Sequence, residues 1–488
     1  MKPVTASVLG LLAGLLAPTT ASAHSFGRSY NLPVPFWLYA YGAAAALLLS
    51  FVIAGYFLNT RSVTQHARVR SLDNTAWLRA LQRLRVLPLL KLVSVLCLLL
   101  CLLTGFFGNR NPYTNFNMTF FWVIFVLGFA YLTALIGNLY AAINPWRVIA
   151  EAIERGIAGF TRGRYEYPAR LAYWPALALY MAFIWIELFA HNRPHSLAVM
   201  LSVYTGINLL GVWLIGKTAW FRYGEFFSVF LRLTAKMAPL DYQPSRDGGG
   251  RGRLRLRAPF VGVLEDRAEN LSLLLFVLFM LSSTAFDGLR LTIPWVNLFW
   301  ADPFNLIRPW VGVDPVYAYA TLRPVYFTYE TICLLLSPFV YLAVYLLFIG
   351  LAKWMTRNPR PVRELALIFA FTLLPIALVY NITHYYALLL TQGVKILSLI
   401  SDPFGWGWDL FGTAMKFRAP ILPDMNTVWH SQVGLILLGH IASVYLAHLE
   451  ALRTFPSLRQ ALLSQVPMLF LMVLFTVAGL WILSQPIQ

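Results

Sequence analysis

Ten apolar stretches recur along this chain, each long enough to cross a bilayer as a helix of about 20 residues. They cover 36–58, 86–107, 118–140, 171–190, 197–216, 269–286, 326–350, 364–389, 427–449 and 464–485. This pattern leaves little freedom of fold. In hydrocarbon a backbone must satisfy its own N–H and C=O groups, and a helix does so residue by residue. With 59% hydrophobic and only 12% charged residues, a soluble domain of this length is excluded. The expectation is an all-α membrane protein of about ten transmembrane helices, with 24–488 forming a single polytopic domain in the lipid bilayer.

Ahead of the first span, Lys2, an apolar run from about Val4 to Pro18 and the small residues Ala21 and Ala23 make a signal peptide over 1–23, cleaved after Ala23. His24 would then be the mature N-terminus, offering imidazole and α-amine to one metal ion. If that terminus is outside, segments 59–91, 141–170, 217–268, 351–363 and 450–463 face inward. These hold 28 of the 38 lysines and arginines, the bias that orients helices in a bacterial inner (plasma) membrane. The net charge of +18 is therefore an orientation signal, and nucleic-acid binding is not indicated.

The inward segments read as membrane-surface pieces. Arginines interleaved with Trp77, Leu78, Leu81 and Leu84 suit an amphipathic interfacial helix over 61–85. Segment 217–268 reads as a basic cytoplasmic loop, helical to about Met237. A flexible run through Gly248-Gly249-Gly250-Arg251-Gly252-Arg253 would then be attracted to anionic headgroups. The outer segments 287–325 and 390–426 are rich in aromatics, proline and glycine, and share Asp302-Pro303-Phe304 and Asp402-Pro403-Phe404. Cys97, Cys101 and Cys333 lie inside apolar spans and read as small core thiols.

Ionisable residues within apolar spans are costly and mark function. Glu187, His191 and His195 follow at i, i+4 and i+8, and regular helix would put the first two on one face. His384 and His430 fall near the outer ends of their spans, and Asp287 and Glu330 border theirs at similar depth. Several helices would thus bring imidazoles and carboxylates to one level, as helix-bundle metal sites do. The expected site is a divalent metal, zinc or copper, on His24, His191, His195, His384 and His430, with Glu187 and Glu330 as catalytic carboxylates. The competing readings are plain interfacial histidines, a copper- or other metal-handling protein without catalysis, and a structural subunit for a membrane-protein partner. His440, with Ser443 and Tyr445, would extend a polar path inward, while His448 and His66 read as solvated.

Several patches resemble bacterial fenitrothion hydrolase, a family of polytopic membrane proteins. They are His24-Ser25-Phe26-Gly27-Arg28-Ser29-Tyr30-Asn31-Leu32-Pro33-Val34-Pro35-Phe36-Trp37-Leu38-Tyr39, Ser401 through Thr413, Trp429-His430-Ser431-Gln432-Val433-Gly434, Gly439-His440 and Tyr445-Leu446-Ala447-His448. The resemblance reaches both ends of the mature chain and brings no residue assignments with it. It implies hydrolysis of organophosphate triesters with aryl leaving groups at the outer face. An apolar small-molecule substrate would enter from the bilayer, a metal-bound hydroxide would attack phosphorus, and Glu187 or Glu330 would take its proton.

Overall fold

The computed structural model describes residues 34–58, 70–72, 75–76, 83–243, 253–417, 419–421 and 423–485. Ten helices are long and apolar enough to cross a membrane: Phe36–Phe57 (α1), Val86–Phe107 (α2), Phe116–Ile136 (α3), Ala169–Phe189 (α5), Pro194–Ile215 (α6), Leu271–Arg290 (α8), Pro315–Thr356 (α9), Val362–Leu399 (α10), Met425–Thr454 (α11) and Leu458–Ser484 (α12). Two shorter helices, Pro145–Gly156 (α4) and Phe226–Thr234 (α7), complete the numbering. The expected spans all appear, several with longer ends and one cut short: α8 runs on through Asp287 to Arg290, α10 continues past 389 to Leu399, and α3 stops at Ile136 rather than 140. Asp287 is therefore a helical core residue rather than the start of a loop. The expected signal peptide, His24, His66 and most of 61–85 lie outside the described residues.

Side chains start the helices in the way their backbones need. Asn270, Asp424 and Ser457 accept hydrogen bonds from the first-turn N–H groups of α8, α11 and α12, which have no partner within their own helix. Helix α8 is enclosed, with every residue from Ser272 to Thr284 buried. Helices α5, α9, α10 and α12 pack against it, and helices further out turn apolar flanks outward, as Leu89, Leu92, Leu96 and Leu99 do on α2.

Between spans the chain departs from the surface-piece reading. At one end of the bundle, α3 stops at Gly137 and α6 at Gly216, both with positive φ, 84° and 91°. Each follows Leu-Ile: Leu135-Ile136-Gly137 and Leu214-Ile215-Gly216. After each glycine the chain turns back into the bundle. Trp146 at the start of α4 donates to the Thr205 hydroxyl (2.9 Å), and Thr205 is the twelfth of the 22 residues of α6. At about 1.5 Å rise per residue that is halfway along a spanning helix. Helix α4 then descends beside α6 to the end where Lys217 N–H bonds Thr161 O. Helix α7 does the same: it starts at Glu225, bonded to Tyr204, and descends along α5, Phe226 against Phe183 and Arg232 against Tyr173. Two half-helices thus enter from one end and meet tip to tip at mid-bundle. The order span, glycine, half-helix, span occurs twice, as α3–α4–α5 and α6–α7–α8.

The reason lies in composition. Phe226, Phe227, Val229, Leu231 and Leu233 are buried, too apolar a surface to lie in water. Beyond α7 the flanks of the glycine-rich run form structure of their own. Arg70–Ser71 (β1), Leu240–Gln243 (β2) and Arg253–Leu256 (β3) make an antiparallel sheet in the order β1-β3-β2. The alternating Arg253-Leu254-Arg255-Leu256 has strand period, and Arg255 pairs with Asp241.

At the opposite, aromatic-rich end the two Asp-Pro-Phe loops are built alike. Asp302 accepts from the N–H groups of Leu306, Ile307 and Arg308, and Asp402 from those of Trp406 and Gly407. The loop after α10 also packs onto the bundle, where Phe116 N–H bonds Pro403 O. There the Ala414 N–H and the Ser401 hydroxyl hold the Asp409 carboxyl below its ordinary range.

A Cβ at Gly137 would strike the Leu240 carbonyl oxygen, and one at Gly216 would lie 2.7 Å from Arg162 O. Gly137→Ala and Gly216→Ala should each cost about 1–3 kcal/mol. Gly156, with open space around it, should tolerate alanine within about 0.5 kcal/mol. Thermal unfolding in detergent measures all three, and equal midpoints would contradict the tight returns after α3 and α6.

Candidate functional site

The strongest polar constellation in the bundle centres on Asp287, in the last turn of α8 and 1% exposed. Its Oδ2 lies 2.8 Å from His384 Nε2 and accepts the Tyr385 hydroxyl at 2.9 Å. Its Oδ1 lies 3.5 Å from Arg290 Nε. Arg290 also donates to Leu188 O at the end of α5, a favourable place for a cation, and its guanidinium lies 5.2 Å from the Phe189 ring centre. Adjacency of His384 and Tyr385 in one helix lets both reach a single carboxylate oxygen. Gly288, one residue past Asp287, packs against α12, where a Cβ would lie 2.6 Å from the Ile482 side chain.

Tyr385 also lines a cavity of about 30 Å³, room for about two water molecules. Glu187 of α5, Ser283 and Thr284 of α8 and Asn381 of α10 supply its polar wall, and Phe226 and Phe227 close the side towards the half-helix tips. Tyr131 of α3 donates to both Asn381 oxygens, at 3.1 and 3.2 Å. Five helices, α3, α5, α7, α8 and α10, therefore meet at this one small polar space.

The predicted residues divide. The structure brings His384 to Asp287 and places Glu187 at the adjoining cavity. Glu330 is buried on α9 in the field of Arg290, beside Tyr326. His191 and His195 stand apart. Helix α5 ends at Phe189, Ala190 is extended and α6 begins at Pro194, so Glu187 and His191 do not share a helix face. His191 is exposed, and the His195 ring packs on Phe106, 5.5 Å between centres. His430 is exposed and bonds Asn426 O and Tyr39. Among the described residues no group of three or more His, Cys, Asp or Glu side chains converges as a metal site would require. His24 lies outside them.

His448 is not solvated as the sequence suggested: it is fully buried and pairs with Gln465. His440 is buried too, with Nδ1 bonded to Ile436 O. Sequence reasoning missed Arg290 and Tyr385 as partners of Asp287, although Tyr385 beside His384 was visible. It also missed Glu225 altogether, placing it in a surface loop. The residues gave little signal for it, because glutamate is not one of the side chains that ordinarily mark a helix start.

Comparison of the chain with protein-family models, with curated proteins and with solved structures finds no match.

Removing one partner of a buried pair strands the other charge. Asp287→Ala, which removes the carboxylate that Arg290, His384 and Tyr385 share, should destabilise by about 3–5 kcal/mol. His430→Ala should stay within about 0.5 kcal/mol. Thermal unfolding of the two purified variants checks the contrast, and equal midpoints would contradict the central place given to Asp287.

Proposed function

We propose that this chain is a proton-transfer protein of the bacterial inner membrane, with its aromatic end outside. The Asp287–His384–Tyr385 cluster would be its outer proton-exchanging centre. The orientation is supported by the 28 of 38 basic residues in segments expected to face inward. The observation that carries the function is a buried imidazole–carboxylate hydrogen bond beside a water-sized cavity holding a second carboxyl, Glu187. Buried carboxylates and histidines are what proton relays in membranes are made of. Here a departing proton would find Glu187 across the cavity.

Size separates this reading from the one that the resemblance implies. A space of about 30 Å³ admits water and protons, whereas an aryl phosphotriester is many times larger and would require the helices to part. The same pair keeps the hydrolytic reading alive. An imidazole oriented by a carboxylate is a general base that can draw a proton from an attacking water.

One set of proteins tests both. In liposomes energised by a potassium diffusion potential, the wild type should take up protons, reported by a trapped pH dye, faster than protein-free liposomes. Asp287→Asn and His384→Ala should slow this about tenfold or more. Equal rates in wild type and both variants would contradict the proposal. With an aryl phosphotriester added, the hydrolytic reading expects release of the aryl alcohol that His384→Ala abolishes, and the proton-transfer reading expects none.

A further inference from the structure

Below the cavity, towards the basic end, a second carboxylate is buried more completely than any in the outer cluster. Glu225 is 0% exposed, at the tip of α7. Its oxygens accept the Phe227 and Ser228 N–H groups (3.1 and 2.7 Å), the Asn144 amide (3.3 Å) and the Tyr204 hydroxyl. Among the described residues no Lys, Arg or His pairs with it. Asn144 is itself the cap of α4, accepting from Arg147 N–H, and its amide also reaches the Ser228 hydroxyl at 3.3 Å. Positive ends of two half-helices therefore converge on one carboxyl, the fixed partial charges that can replace a cation.

A half-helix tip can be capped by a neutral side chain, as Asn144 caps α4; Glu225 instead accepts with both oxygens. Placing a carboxyl at mid-bundle adds a group that can gain and lose a proton. A second observation points the same way. Tyr140, 1% exposed and in the field of Glu225, has a buried hydroxyl with no hydrogen-bond partner among the described residues. Discontinuous helices meeting at the midplane are where membrane transporters place their sites.

We propose that Glu225 is a second proton site, in series with the outer centre, and that Phe226 and Phe227 form the barrier between them. This rests on the proton-transfer reading above. Both rings line the Glu187 cavity and both follow Glu225 directly. They pack on each other and on Phe183, ring centres 4.0, 5.0 and 5.5 Å apart. Water entering between them would let the O–H bond of a protonated Glu187 break as the O–H bond of Glu225 forms. Glu187 is left as carboxylate and Glu225 as neutral acid. Loss of that proton towards the basic end, where Glu151 lies among Lys91, Arg147 and Lys217, returns Glu225 to carboxylate. Membrane potential and pH gradient drive the cycle, and no other reactant is needed.

The test is proton uptake by energised liposomes of the full chain carrying E225Q or E225D, with infrared spectra of the same samples. Glutamine keeps the length and one acceptor oxygen of the cap, turns an NH2 towards the donors that now meet the second oxygen, and carries no exchangeable acid. Aspartate keeps the acid and shortens the cap. A proton site predicts that E225D retains flux and E225Q loses about tenfold or more, with a pH-dependent carboxyl C=O band missing from E225Q. A purely structural cap predicts that both variants lose flux alike and that no carboxyl band depends on pH. Flux in E225Q equal to wild type, or an unchanged carboxyl band, overturns this inference while leaving the outer centre standing. Absence of flux in the wild type overturns both.

Discussion

A backbone that ends inside a membrane must find partners for its terminal N–H groups, and the rest of this structure depends on how that is done at mid-bundle. Half-helices α4 and α7 stop where no water would reach them. Asn144 and Glu225 close their open ends, then bond to each other. Without those side chains several buried N–H groups would go unsatisfied, at about 1–3 kcal/mol each. The half-helices in turn seat Trp146, Phe226 and Phe227 against α3, α5 and α6, and so fix the floor of the polar cavity. Cap, tip packing and cavity form one dependent sequence.

Above that floor the Asp287 cluster follows from helix ends. Asp287 and Arg290 occupy the last turn of α8, and Arg290 reaches the terminal carbonyl of α5. One carboxylate shared by an imidazole, a phenol and a guanidinium is well satisfied, which explains how such a group tolerates burial. Under the proposed function, the same sharing would let a proton pass within the cluster without changing its net charge. The small size of the adjoining space then limits what can use it.

Much of this was legible in the residues. The ten spans were, because hydrophobic runs near 20 residues have few other folds, and Asp287, His384, Glu187 and Glu330 stood out as ionisable groups in or beside apolar stretches. The pairing of His384 with Asp287 was not legible, since spacing within one helix says nothing about which neighbour faces it. The grouping of Glu187 with His191 failed because a four-residue spacing was read across a helix end, where Pro194 begins the next helix. The half-helices were hidden for a different reason. At 12 and 9 residues they fall short of a spanning length, and Lys217, Arg222 and Arg232 pulled the reading to the surface. Asn144-Pro145 and the two Leu-Ile-Gly endings were the available signs.

Cross-linking can show whether the two half-helix tips meet. In a background with Cys97, Cys101 and Cys333 replaced, cysteines at positions 144 and 228 would stand where an amide and a hydroxyl now lie 3.3 Å apart, within reach of a disulfide. Mild oxidation in membranes should join them within one chain, and water-soluble maleimide should label neither quickly. Rapid labelling of both positions with no cross-link would place these segments at the surface and contradict the account.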